Sequence, residues 1–420
     1  MNYNEALKYL EKASVKGSVL GLSRIEKLLE LLGNPQDKLK IIHVSGTNGK
    51  GSFSAMLSAI LYEAGYKVGS FSSPSLVTVN DSFRLNCKIV SDDYFAEVLS
   101  EVIEKAGSIS DSPTEFELLT AAAFQMFCKS NCDICIIECG LGGDTDSTNV
   151  IKKPVLSVIT NVQLDHCGIL GNTLSEIAAH KAGIIKQGCD VMYGGEQGEA
   201  YGIIKSYADK MKSKLYVTDK TEISDVRCDI NGTKLSYGEY DDLQLSLVGT
   251  YQAENVANVI TAVEIMKEQG FEISRRSVYS GLAKTEWQGR FEVIRKNPPV
   301  IFDGAHNPCG MVEAVKTIKS CFGNQKIAVL MGVMADKEYN LYADMLKDVT
   351  DIVFTVMPDN PRSLDANKLA DYFNENGIYA VVCENFSDGL EKAVDYAENK
   401  NMPLVVMGSL YMYREFKDNF

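Results

Sequence analysis

Residues 41–52, IIHVSGTNGKGS, pass from an apolar strand-like run through a glycine-rich turn with one lysine into the helical stretch FSAMLSAILYEAGY. This strand–turn–helix constrains the fold more than any other feature of the chain. Gly46, Gly49 and Gly51 let the backbone curl until its N–H groups converge on an anion, and the helix N-terminus adds partial positive charge there. Thr47 and Asn48 complete a nucleotide-phosphate loop, with Lys50 reaching toward terminal phosphates and Ser52 placed to ligate magnesium. The strict pattern G-x-x-x-x-G-K-[ST] is not met. Val44 stands at the first glycine position and Gly51 separates Lys50 from Ser52.

Around this loop, short apolar runs alternate with helical patterns: KIIHVS, KVGSFSSP, helices near 92–106 and 115–128, CDICIIE and PVLSVIT. The rhythm is that of a mostly parallel sheet wrapped by helices. At 420 residues the chain exceeds one compact core, and two domains are expected. The pieces KLYVTD, TKLSYGEY and LQLSLVG between 214 and 250 suggest a small antiparallel excursion, followed by helices at 251–269 and 274–283. KNPP near Lys296–Pro299 breaks regular structure, after which the βα rhythm restarts. The expected architecture is α/β: a P-loop-containing, mostly parallel sheet domain at 1–296 with an N-terminal helical segment, then a smaller Rossmann-like α/β domain at 297–420.

A net charge of −14 offers no basic stripe for nucleic acid, and no run approaches the roughly 20 apolar residues of a membrane span. MNYNEALKYLEKAS has no basic start or apolar signal core, so a cytoplasmic location and a monomeric state are expected. Eleven cysteines, odd in number and scattered, fit reduced thiols. Read as residues of one strand, Cys132 and Cys135 point to opposite faces and form no zinc chelate.

The candidate chemistry sits at strand ends, where open α/β sheets bind ligands. His166 follows the strand PVLSVIT, and Glu138 ends CDICIIE. Together they could hold magnesium over a triphosphate. Asp303 and His306 lie in FDGAHNP, between a strand and a helix opened by Pro308. His43 reads as a packed neighbour of the loop, and Lys181, in TLSEIAAHKAGIIK, as an ordinary surface lysine.

The segments GTNGKGS (46–52), SSP (72–74), ECGLGG (138–143), LDH (164–166), LGNTLSEIAAHKAGIIK (170–186), WQGRFEVI (287–294) and DGAHNP (303–308) occur in order along nearly the whole chain. Together they resemble the folylpolyglutamate synthase/dihydrofolate synthase family of the Mur ligase superfamily. The resemblance implies ATP-dependent ligation of L-glutamate to dihydropteroate or folates through an acyl phosphate. It assigns Ser73, Glu138 and His166 to magnesium, and makes Lys181 a carbamylated lysine. Asn255, Arg290 and Asp303, with His306 beside them, would contact ATP. Leu22, Thr114, Glu115, Phe116, Glu117, Asp146, Ser147 and Thr148 would line the acceptor site.

Three positions depart from the family pattern. Ser75 replaces a histidine, Asp81-Ser82-Phe83 an ERI-type segment, and Asp144 an arginine. All three fall on the acceptor side. Alternatives are a dedicated folylpolyglutamate synthase or a P-loop regulatory ATPase without ligase activity. A peptidoglycan-type Mur ligase would need a UDP-binding domain ahead of the loop, where about 40 residues are too few for one.

Overall fold

Apolar side chains on both faces suit IIHVS to a central parallel strand covered on each side. In the computed structural model, which describes residues 1–17, 19–165 and 167–420, it forms β1 (Ile41–Ser45), buried throughout. With it run β2 (Val68–Phe71), β3 (Phe83–Leu85), β4 (Lys88–Ile89), β5 (Ile134–Glu138), β6 (Leu156–Ile159), β7 (Val191–Tyr193) and β8 (Leu215–Val217). The sheet order is β4-β3-β2-β5-β1-β6-β7-β8, with parallel pairing from β2 to β8 and β3 paired antiparallel to both β2 and β4 at one edge. β5 and β6 flank β1 on opposite sides, with Glu138 level with Val44 and Ile159 level with Ser45. The C-terminal ends of these three strands share one rim. That rim is where the chain switches direction, the place such sheets leave a crevice.

Helices α1 (Tyr3–Ser14), α2 (Ser23–Leu31), α3 (Lys50–Glu63), α4 (Asp92–Ala106) and α5 (Glu115–Lys129) belong to the same unit. Capping boxes fix two of their starts, Asn2 with Glu5 at α1 and Thr114 with Glu117 at α5. Leu10, Leu28, Phe95, Leu99 and Phe124 pack one core with Phe71 and Ile137 of the sheet. Farther along lie α6 (Cys167–Leu170), α7 (Leu174–Ala182) and α8 (Glu199–Lys210), and a second core joins Ile159, Ile184, Tyr193 and Ile204. α9 (Gln252–Glu268) and α10 (Arg275–Ala283) follow. No helix among the described residues is long and apolar enough to cross a membrane.

The chain divides into two compact units, Met1–Lys220 with Glu254–Leu282, and Thr221–Ala253 with Ala283–Phe420. The second unit contains an antiparallel sheet of β9 (Ile223–Asp229), β10 (Gly232–Tyr237) and β11 (Tyr240–Leu245). It also holds β12 (Glu292–Lys296), β13 (Pro299–Asp303), β14 (Ile327–Met331), β15 (Thr350–Thr355), β16 (Ala380–Val382) and β17 (Leu404–Met407), in the order β12-β13-β17-β14-β15-β16. β12 is antiparallel to β13 and the rest are parallel. Helix α11 (Pro308–Phe322) follows β13.

Three expectations change. The division expected at 296/297 falls inside the β12–β13 hairpin, because prolines that interrupt regular structure serve equally well in a tight turn between paired strands. KLYVTD supplies β8 of the parallel sheet, leaving the antiparallel excursion to β9–β11. Cys132 precedes β5 and its thiol adjoins that of Cys135, so alternation along a strand does not separate them.

Candidate active site

After β1 the backbone turns through Gly46 (φ 147°) and Gly49 (φ 83°), both in the region that favours glycine. A Cβ on Gly46 would meet the Thr160 hydroxyl, and one on Gly49 the Asn255 carboxamide. The loop is stitched to the segment after β6. Thr47 N–H donates to Asn161 O (3.1 Å) and Asn48 N–H to Asn161 Oδ1 (2.9 Å), while the Thr160 hydroxyl donates to Asn48 O (2.7 Å). Gln163 N–H donates to Thr47 Oγ1 at 3.0 Å. The amides of Thr47 and Asn48 are thus committed within the protein. The donors at an anion site are instead the first amides of α3, Lys50 to Ser52, which a helix cannot bond internally. Lys50 Nζ curls over the loop, 3.1 Å from Gly46 O and 3.3 Å from Thr47 O, and lies 3.9 Å from Glu138 Oε1.

Beside the loop a pocket is lined by Gly46, Lys50, Cys139, Gly142, Asp165 and Lys181, among others. Lys181 is only 4% exposed. Burial, and next the charge of Lys50, push its amine down to about 7, against the pull of Cys139, Asp165 and Asp146. At neutral pH a large fraction of this lysine is uncharged.

Ser52 and Glu138 are buried and Ser73 is half-buried in the turn after β2. Their oxygen donors suit magnesium. Among the described residues no three His, Cys, Asp or Glu side chains converge as a metal site, so a cation here would take further oxygens from phosphate and water. His166 lies outside the described residues.

Behind the pocket, Asp146 accepts from Leu141 N–H (2.9 Å), Thr148 N–H (2.9 Å) and the Thr148 hydroxyl (2.6 Å). Burial pushes its carboxyl pKa up. Thr148 Oγ1 lies 2.8 Å from His43 Nε2, and burial drives His43 down to about 3, leaving it neutral. Because Thr148 donates to Asp146, His43 Nε2–H donates to Thr148. Asp146 and Thr148 therefore brace the loop 140–148 from within, and Ser147 is buried between them. Asp144 pairs with His180, Oδ1 to Nδ1 at 2.9 Å, and its N–H donates to His180 O at 2.9 Å. Nothing in the sequence gives His180, Asn161 or Thr160 a role.

On the acceptor side, Leu22 caps α2 and is half-buried. Phe116 lies over Gly140, where a Cβ would come within 2.7 Å of the ring, and its centroid is 5.9 Å from Phe71. Glu115 is half-buried and its carboxyl is raised by desolvation. Glu117 turns inward instead. It is 1% exposed, accepts Thr114 N–H (2.7 Å) and receives Arg24 Nε at 3.1 and 3.0 Å. Thr114, also buried, serves the same cap. Glu117→Ala leaves a largely buried guanidinium without its main partner and is expected to cost about 3 kcal/mol. Urea unfolding measures this, and an unchanged midpoint would contradict the assignment.

In the second unit Asp303 ends β13, buried, and accepts Phe291 N–H (2.8 Å) and Ala305 N–H (2.7 Å). Burial raises its carboxyl pKa while Arg290 opposes that shift. Arg290 Nη1 donates to Gly304 O (3.4 Å), as does His306 Nδ1 (2.7 Å). Arg290, Asp303 and His306 thus gather around Gly304. Asn255 is in the first unit beside Gly49.

The Mur ligase middle domain matches residues 44–263, and the Mur ligase glutamate ligase domain matches 289–410. The chain is 34% identical to the dihydrofolate synthase/folylpolyglutamate synthase of Bacillus subtilis, across 99% of this chain and 98% of that protein. It belongs to the folylpolyglutamate synthase/dihydrofolate synthase family. Members of that family with solved structures share its architecture. Mycobacterium tuberculosis folylpolyglutamate synthase complexed with ADP aligns at TM-score 0.92 and 26% identity, covering 99% of this chain and 98% of that one. Escherichia coli FolC in complex with DHPP and ADP aligns at 0.87 and 27%, covering 100% and 97%. Folylpolyglutamate and dihydrofolate synthases are amide-forming ligases, and the chain is one of them.

Proposed function

We propose that the protein joins the amine of L-glutamate to the carboxylate of a dihydropteroate or folate acceptor, using ATP. The observation that carries this reading is the pocket where Lys50 of the phosphate loop and the buried amine of Lys181 line one space. A carboxylate is a poor electrophile, so the γ-phosphoryl group is first transferred to it, giving an acyl phosphate and ADP. The glutamate amine then attacks the acyl carbon and phosphate leaves. Phosphoryl transfer is catalysed mainly by positioning and charge neutralisation. The amides of Lys50, Gly51 and Ser52 and the Lys50 ammonium supply both. Ser52, Ser73, Glu138 and His166 would hold magnesium, which when bound neutralises phosphate charge.

Lys181 serves as a carbamate. The lone pair of the neutral amine bonds the carbon of carbon dioxide, an N–H proton leaves, and the neutral group becomes an anion beside Lys50. Asn255, Arg290, Asp303 and His306 contact ATP. Leu22, Glu115 and Phe116 face the acceptor, while Thr114, Glu117, Asp146, Ser147 and Thr148 shape its surroundings from behind. The enzyme acts as a cytoplasmic monomer on small molecules, without nucleic acid.

We assign both activities, dihydropteroate ligation and addition of a limited number of further glutamates. Ser75 is exposed and Asp144 is partly exposed, so neutral and acidic groups stand where cations would hold a long anionic tail. Dihydropteroate, tetrahydrofolate and its diglutamate, assayed side by side with labelled glutamate, should yield products from the first two and only short chains from the third. Inert dihydropteroate with free extension of long chains would make it a dedicated polyglutamate synthase.

A further inference from the structure

In the second unit β9 carries Cys228 and α11 carries Cys321, and the two elements pack together so that the Cys321 thiol adjoins that of Cys228. The contact is anchored on both sides. The Ser320 hydroxyl donates to Cys228 O at 3.0 Å, and Cys321 packs against the core that includes Cys228, Met311 and Ile318. The Thr233 hydroxyl also points at the Cys228 sulfur, 3.7 Å away.

We propose that Cys228 and Cys321 form an oxidisable dithiol, which a small hydroperoxide converts to an intrachain disulfide joining β9 to α11. The neighbouring Cys321 thiol lowers the Cys228 pKa and so favours its thiolate, against the opposing effect of burial. The facing sulfur and burial push Cys321 up, which marks it as the resolving partner. The Cys228 thiolate attacks a peroxide oxygen. The O–O bond breaks, hydroxide leaves and takes a proton as water, and Cys228 becomes a sulfenic acid. With the thiolate charge gone, the Cys321 sulfur attacks the Cys228 sulfur. The S–O bond breaks and the departing oxygen leaves as a second water, carrying the Cys321 proton. Two thiols are oxidised and one peroxide is reduced.

The link would bear on the rest of the unit through α11. That helix begins directly after the turn carrying His306, and its Thr317 hydroxyl accepts Thr250 N–H at 3.2 Å. Cys132 and Cys135 are a second pair of neighbouring thiols, but only three residues apart in the chain. The Cys228–Cys321 link instead spans two elements far apart in sequence.

The test is peptide mapping of the full-length protein after graded hydrogen peroxide and alkylation, with exposed Cys309 as the internal gauge of oxidant dose. The expected product is a crosslinked peptide pair containing Cys228 and Cys321, lighter by two hydrogens and reversed by dithiothreitol. The unfolding midpoint should rise by roughly 5 °C or more. Cys321→Ser should abolish the crosslink and Cys132→Ser should retain it. Alkylatable thiols at both positions once Cys309 is consumed would overturn the proposal, as would Cys228 sulfinic acid without a crosslink. The wild-type map decides even if the serine variant fails to fold.

Discussion

Lys50→Ala is expected to lower kcat/KM by about a hundredfold or more while the protein stays folded. A charge-assisted contact to a transferring phosphoryl group contributes on the order of 3 kcal/mol to transition-state stabilisation. The lysine contributes less to the fold, because its internal contacts are two loop carbonyls at 3.1 and 3.3 Å and a long ion pair to Glu138 at 3.9 Å. A second effect adds to the first. The Lys50 charge helps hold Lys181 in its uncharged form, so removing it should shift Lys181 toward the ammonium state. Steady-state kinetics on a variant with an unchanged circular dichroism spectrum is the measurement. Near-normal turnover would remove the loop from the chemistry.

Depleting carbon dioxide should cost most of the activity, and added bicarbonate should restore it in the wild type but not in Lys181→Ala. The amine must be neutral to bond carbon dioxide, and with a pKa of about 7 it is increasingly so as pH rises through that value. The bicarbonate-dependent fraction of activity should therefore grow from pH 6 to pH 8. An ordinary lysine near pKa 10 would offer almost no neutral amine across that range. A bicarbonate-insensitive enzyme whose crystal shows a bare amine at Lys181 would rule the role out.

The sequence announces the phosphate loop because its chemistry is local. Glycines at positive φ, a strand before them and a helix after them lie within a dozen residues, and periodicity alone recovers α4, α5 and α9 closely. Lys181 was invisible as a special lysine because its burial is a property of the folded sheet, and only family likeness marked it. The engagement of Thr47 and Asn48 was hidden for a similar reason, since Asn161 lies more than a hundred residues downstream. Family likeness alone gives Glu117 and Asp146 a place in the acceptor site, and no sequence pattern shows that Glu117 also holds Thr114 N–H and Arg24, or that Asp146 holds Leu141 N–H and the Thr148 hydroxyl. Proline punctuation at KNPP could mark a linker or a hairpin turn. Only strand pairing distinguishes the two.

The stitching of Thr47 and Asn48 to Asn161 has a kinetic corollary. A loop left free would sample many shapes, and an arriving anion would capture only the fraction already curled, which slows productive encounters and weakens affinity by the entropy of ordering. Here two backbone amides are held by a neighbouring strand end before anything arrives. The loop is a rigid template, so nucleotide discrimination rests on fit and dissociation rate, with little set by a slow folding of the site around its ligand.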